Sequence, residues 1–376
     1  VVSVPGLRPG GPDIAERLHA HAAAAAARGD DVGSAAVPLA RVVRGELVES
    51  VHLGHLVLLG PDGEVRLALG DPDVTVLARS SLKPLQAVGM LRAGLELESP
   101  HLALACASHD GTPDHLRVVR ETLLAAGLDE SALDNTPDLP LDPDAAFAWR
   151  TDGHGPEPVA QNCSGKHAAM LATAVAHDGE PGWEPAGYLG AEHPVQVACR
   201  AAIEELTGAQ AWHVTVDGCG APLFSTTLRG LARAFARIAT APAREPGTPL
   251  ARVADAMTEH PDLVGGERRD VTRAMRAVPG LVAKDGADGV YAAALPDGSA
   301  LAFKIADGSP RPRPAVLVAA LRLAGADAVP GVDVEALDAL GDVPVLGHGE
   351  PVGAVVPTFG AVAAGPAAPA APGPVA

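Results

Sequence analysis

A serine and a lysine three residues apart, in Arg79-Ser80-Ser81-Leu82-Lys83-Pro84, form the first pair in this sequence that could do chemistry. A lysine kept neutral by burial or by a nearby cation can take the proton of a serine hydroxyl, so Ser80 would attack a carbonyl and Lys83 would act as its base. Pro84 has no amide hydrogen and suits the first turn of a helix. The pair is therefore expected at a helix start, where free backbone N–H groups can hold an oxyanion. Ser-x-x-Lys also arises by chance, as a capping serine beside a solvated lysine, so the case rests on what accompanies it.

Lysine is scarce in this chain. Of its 28 basic residues only Lys83, Lys166, Lys284 and Lys304 are lysine, and the other 24 are arginine. Surface lysines drift to arginine at little cost, whereas a lysine needed as a neutral amine cannot, because arginine stays protonated. The surviving lysines are candidates for function, with burial of their stems as the plain alternative.

Two of them, Lys166 and Lys284, lie among four further segments that share a pattern, an ionisable group or thiol beside an apolar run. Ala107-Ser108-His109-Asp110-Gly111 follows the run Leu102 to Cys106, read as a buried strand, which places Ser108 and His109 where a strand leaves a sheet. Gln161-Asn162-Cys163-Ser164-Gly165-Lys166-His167 precedes a helix. It is no phosphate loop, because Ala160 stands at the first glycine's place and His167 follows the lysine. Val216-Asp217-Gly218-Cys219-Gly220 and Val282-Ala283-Lys284-Asp285-Gly286-Ala287-Asp288-Gly289 complete the set. Cys106 and Cys199 read as core residues.

The elements that must position these groups are legible in outline. Strands are expected at Leu39 to Val43 and Val51 to Leu59, closed by the turn Gly60-Pro61-Asp62-Gly63. A helix follows from about Leu85 to Arg92, and another runs from the cap Thr112-Pro113 to Gly127. Further helices are expected at about Lys166 to Ala176, Pro194 to Leu206 and Phe224 to Ile238, with strands at His213 to Val216 and Gly289 to Leu295. This is an α/β pattern without internal repeats. Residues 1–36 read as a poorly ordered leader, 37–360 as one catalytic domain and 361–376 as a low-complexity tail.

With 376 residues, 47% of them hydrophobic, the chain can bury a large core. A formal charge of −18 argues against nucleic-acid binding and leaves a small molecule as the expected partner. No apolar run of about 18 residues marks a membrane span, and no basic region followed by an apolar one marks a signal peptide, so the expected compartment is the cytoplasm. Four cysteines without a CxxC pair give no disulfide framework and no zinc-finger spacing.

Taken in order, these motifs resemble the asparaginase II family, the Rhizobium etli type of L-asparaginase. The resemblance runs from about Pro38 to Phe359 and begins with Arg44-Gly45-Glu46-Leu47-Val48-Glu49-Ser50-Val51-His52-Leu53-Gly54-His55. It implies a serine β-lactamase/glutaminase-like α/β (α+β) fold, a mixed sheet covered by helices with a helical lobe. It further implies two Ser-Lys tandems, Ser80 with Lys83 and Ser108 with Lys284, and substrate-binding roles for Arg79, His109, His167 and Asp217. Zinc held by Cys163, Lys166 and Cys219, and a homodimer, belong to the same expectation. Aspartate at 288 departs from the family's more frequent glutamate, and a further cysteine of the family's site has no counterpart before Lys284. The expected reaction is hydrolysis of L-asparagine. Glutaminase or β-lactam hydrolysis by the same pair, and non-catalytic zinc or amino-acid binding, are the alternatives.

Overall fold

The computed structural model describes residues 13–28, 31–177, 179 and 182–360. Helix α1 (Asp13–Arg28) lies within the stretch read as a leader, whereas the tail 361–376 lies outside the described residues. Strands β1 (Val37–Arg44), β2 (Leu47–Leu59), β3 (Val65–Leu69) and β4 (Thr75–Leu77) follow α1. Then come helices α2 (Lys83–Arg92), α3 (Ser99–Ala105), α4 (Pro113–Ala125), α5 (Pro143–Thr151), α6 (Ser164–Ala176) and α7 (Pro194–Thr207). Strands β5 (Val214–Val216) and β6 (Pro222–Thr227) lead into α8 (Leu228–Arg244), α9 (Pro249–Glu259), α10 (Pro261–Val264) and α11 (Asp270–Ala277). The chain closes with β7 (Val282–Asp285), β8 (Val290–Ala294), β9 (Ala300–Ile305), α12 (Arg313–Ala324), α13 (Val334–Gly341), β10 (Pro344–Gly347) and β11 (Glu350–Pro357).

The main sheet has the order β10-β11-β1-β2-β9-β8-β7, with β3 also on β2, and a small sheet has the order β4-β6-β5. Each pairing is antiparallel, so the α+β form of the expectation is the one adopted. Helix α8 packs on β2, β8 and β9, α12 packs on β1, β2, β9 and β11, and α2, α3, α4, α6, α7 and α9 form a helical lobe beside the sheet. Helix α2 is the centre of that lobe. It packs against α3, α6, α7 and α9, and Lys83 to Leu91 are buried without a break. Its apolar, Ala- and Gly-containing sequence allows this, because small residues admit neighbours on every side. A Cβ on Gly89 would lie 2.8 Å from the Ala198 carbonyl of α7.

Two local expectations are corrected. Leu102 to Cys106, read as a strand, belongs to α3 and its C-cap. Leu and Ala are good helix formers, Pro100 sits in the first turn, and burial on all sides removes the amphipathic period that would have marked a helix. Ser108 and His109 therefore follow a helix, not a strand. The helix expected from Phe224 begins only at Leu228. Residues Pro222 to Thr227 form β6 between β4 and β5, and the Thr227 hydroxyl accepts from the Gly230 amide as the cap.

Candidate active site

Local chemistry places the Ser80 pair where it was expected. Arg79–Leu82 form a 3₁₀ turn that runs directly into α2, with Lys83 its first residue and Pro84 in the first turn. Arg79 adopts φ 53°, a left-handed conformation costly for a side chain with a Cβ, and its guanidinium is pinned from outside the turn. Its Nε donates to Asp217 Oδ1 at 2.8 Å, and Nη1 donates to Asp288. The Ser80 hydroxyl is half-buried and forms no hydrogen bond within the described residues. Ser81, by contrast, is buried, and its Oγ donates to the Lys284 carbonyl at 3.1 Å. Gly286 permits this approach of β7 to the turn, because a Cβ there would lie 2.6 Å from the Ala78 carbonyl oxygen.

Lys83 is turned inward. Its Nζ donates to the Ala107 carbonyl and lies 3.1 Å from Ser108 Oγ and 3.2 Å from Cys163 Sγ. The serine that directly touches Lys83 is thus Ser108, which the resemblance pairs with Lys284. Lys284 is fully buried and donates to the carboxylate and carbonyl of its neighbour Asp285. Burial first, then the nearby Lys83, lowers its pKa to about 8 against the opposing pull of Asp285. Asp285 has burial working against its charge, but Lys284, Arg269 and Arg313 outweigh that and hold it far below the usual carboxylate range.

The thiols converge at the start of α6. Lys166 Nζ lies 3.2 Å from Cys219 Sγ, Cys163 Sγ donates to Asn162 Oδ1 at 3.0 Å, and Cys163, Cys219 and Ala221 form a small buried cluster. The neighbouring Cys219 first, then burial, push the Cys163 thiol up to about 12, while the neighbouring Cys163, with Lys166 adding to it, brings Cys219 down to about 5 against the effect of burial. Burial opposes charge on Lys166, yet Cys219, Cys163 and Asp217 raise its pKa above the ordinary value. Asp217 is likewise opposed by burial and held low by Lys166 and Arg79. Cys106 and Cys199 are core residues, as expected, their thiols pushed up to about 12 by burial.

The two histidines are withdrawn from solvent. His109 Nε2 pairs with Ser164 Oγ at 2.9 Å, and His167 Nδ1 pairs with Tyr188 OH at 2.8 Å. Burial keeps both well below the ordinary imidazole pKa, and each leaves its other ring nitrogen without a partner. All four lysines are buried, at 1% (Lys83), 3% (Lys166), 0% (Lys284) and 9% (Lys304) exposure. Lys304, without an assigned role in the sequence, donates to the Asp288 carbonyl, and Asp288 sits at φ 54°. It thus secures the turn that aims Asp288 at Arg79. Arg269, Asp110 and Asp285 were not legible as functional. Asp285 adjoins Lys284 in the chain, but nothing local signals that its carboxylate folds back onto that lysine.

A buried amine held against a serine, beside a second lysine and a half-buried free hydroxyl, equips a protein to attack carbonyl carbon, and the chain is an amidohydrolase. The sequence profile described as L-asparaginase II matches residues 40–357, and the chain belongs to that family. No curated protein matches it. Among solved structures, Mglu in its native form overlaps 82% of this chain and 72% of its own at 14% identity and a TM-score of 0.40. A β-lactamase from Mycobacterium bovis overlaps 77% and 95% at 15% identity and 0.34, and a putative β-lactamase from Bacteroides dorei 77% and 90% at 15% and 0.38. No helix among the described residues is long and apolar enough to cross a membrane.

Proposed function

We propose that this amidohydrolase converts L-asparagine and water to L-aspartate and ammonia through an acyl-enzyme. The observation that carries the reading is the contact of the buried Lys83 amine with Ser108, at the start of the helix whose preceding turn bears Ser80. Ser80, the half-buried hydroxyl without an internal partner, attacks the side-chain amide carbon, and Lys83 takes its proton while Ser108 holds the amine in place. The tetrahedral intermediate expels ammonia with the proton returned by Lys83, and water then cleaves the ester by the same route. Arg79 and Asp217, paired at 2.8 Å, offer one charge of each sign, which suits the carboxylate and ammonium of a free amino acid. His109 and His167, both fully buried, are given no contact with substrate in this reading.

Zinc enters as part of the proposal. Two cysteine sulfurs and a lysine amine converge, and sulfur and nitrogen donors of this kind fit zinc. No group of three or more His, Cys, Asp or Glu among the described residues is placed to hold a metal, so Lys166 must complete the set with Cys163 and Cys219, losing its proton first. Bound there, the ion would help orient the substrate's carboxylate or amine.

Ammonia release from asparagine, compared with glutamine and with cleavage of a chromogenic β-lactam, tests the substrate. Asparagine is expected to be preferred, with zinc measured in the same sample and lost in Cys219→Ala. Faster turnover of either competitor would reassign the substrate. Ligand-dependent thermal stabilisation without ammonia release would make the chain a binding protein.

Lys284 also sets a pH dependence. It is a cation below about 8 and neutral above, so kcat/KM for asparagine is expected to fall as the pH rises through that value and the charge beside Lys83 disappears. Lys284→Met should lower activity roughly 100-fold and remove that alkaline limb. A limb unchanged in this variant would assign it to another group.

A further inference from the structure

Behind the two lysines lies a chain of buried ion pairs that the reaction described above does not use directly. Asp285, 5% exposed at its side chain, accepts from Lys284 and from Arg269 Nη2 at 2.6 Å, and Arg313 Nη1 stands 3.6 Å away. Arg313 in turn pairs with Asp270 at 3.0 Å. The second nitrogen of Arg269, Nη1, donates to Asp110 Oδ1 at 3.3 Å. Asp110 stands two residues beyond Ser108, on a loop that runs alongside the segment leading to Arg269. The Ser108 amide donates to the Val264 carbonyl at 3.0 Å and the Asp110 amide to the Gly265 carbonyl at 2.8 Å. The approach is so close that a Cβ on Gly266, at φ 152°, would fall 1.9 Å from Asp110 Oδ2.

A surface ion pair would join two neighbours and leave both exposed. Here one guanidinium reaches the end of β7 with one nitrogen and the loop after α3 with the other, and both carboxylates are buried. We infer that Arg269 is a positioning residue of this site: its planar fork ties Asp285, which holds the Lys284 ammonium, to Asp110, which anchors the loop that sets Ser108 against Lys83. The inference rests on the catalytic reading of Ser108, Lys83 and Lys284 given above. Lysine at 269 could not replace the fork, because a point charge cannot span both carboxylates with fixed geometry.

The arrangement also couples Arg269 to the charge on Lys284. Facing that amine are Asp285 beside it, Lys83 from α2, Cys106 from the end of α3, and Arg269, with Arg313, Asp270 and Tyr291 around Asp285. Removing Arg269 leaves Asp285 to Lys284 and Arg313, so Lys284 should keep its proton to higher pH.

The scarcity of lysine makes this directly measurable, because protein labelled with ¹³Cε-lysine gives resonances from only Lys83, Lys166, Lys284 and Lys304. The Lys284 signal is assigned by its loss in Lys284→Met and titrated in the full chain and in Arg269→Met, Arg269→Lys and Asp110→Asn, alongside kcat and KM for asparagine. Arg269→Met is expected to raise the Lys284 midpoint and to lower kcat roughly 100-fold, with KM within roughly threefold. Arg269→Lys should restore the midpoint in part and kcat hardly at all. Asp110→Asn should lower kcat and leave the midpoint unmoved, because Asp285 keeps its partners. Should Arg269→Met fail to fold, the other two variants carry the test. An unmoved midpoint in a folded Arg269→Met, or a kcat within roughly threefold of the parent, overturns the inference. If the parent releases no ammonia from asparagine while the midpoint moves as stated, the proposed activity falls and the coupling of Arg269 to Lys284 stands.

Discussion

Lys83→Arg is expected to lower ammonia release from asparagine by at least about 1,000-fold. The substitution keeps a positive charge at the start of α2, so a loss cannot be ascribed to charge alone. What it removes is an amine able to give up and take back a proton, because a guanidinium remains protonated throughout the accessible pH range. It also sets a planar, five-donor group where Nζ now meets one carbonyl, one hydroxyl and one thiol in a space 1% exposed. Circular dichroism and zinc content separate loss of chemistry from loss of structure. A folded Lys83→Arg protein with near-parental turnover would sink the assignment of Lys83 as the base.

Ser80→Ala should cost about 10,000-fold in kcat, and Ser108→Ala about 100-fold. The difference follows from their surroundings. Ser80 is half-buried with its hydroxyl unengaged, so it is free to form and lose an acyl bond. Ser108 is buried and engaged with Lys83, so its removal loosens the base without removing the nucleophile. A diazoketone analogue of asparagine, followed by peptide mass mapping, identifies the attacking atom. Label on Ser80 is the expected result, and label on Ser108 would exchange the two roles.

Much of the site was legible because its signals are local. Pro84, without an amide hydrogen, suits a first helical turn, and α2 begins one residue before it. Thr112-Pro113 likewise opens α4, where the Thr112 and His115 side chains form a reciprocal cap. Where local signals conflicted with burial, the reading failed. Leu102 to Cys106 is a short apolar run that fits a buried strand as well as a buried helix and is enclosed as a helix, and Phe224 lies in β6, which has β4 and β5 as partners on its two sides.

The sequence by itself determined which groups are present and that they stand near element boundaries: Ser80 and Lys83 at a helix start, Cys163 and Lys166 at another, and Lys284 ahead of the strand expected from Gly289, whereas the structure places Lys284 within a strand of its own, β7. Through the scarcity of lysine it also marked those amines as candidates for function. Only the tertiary structure decided who meets whom. Lys83 and Ser108 are 25 residues apart, and Ser81 reaches Lys284 across 203. Such contacts leave no periodic trace, because they are set by how the lobe packs on the sheet. For the same reason Arg269, one arginine among 24, showed nothing in the sequence of its position between Asp285 and Asp110.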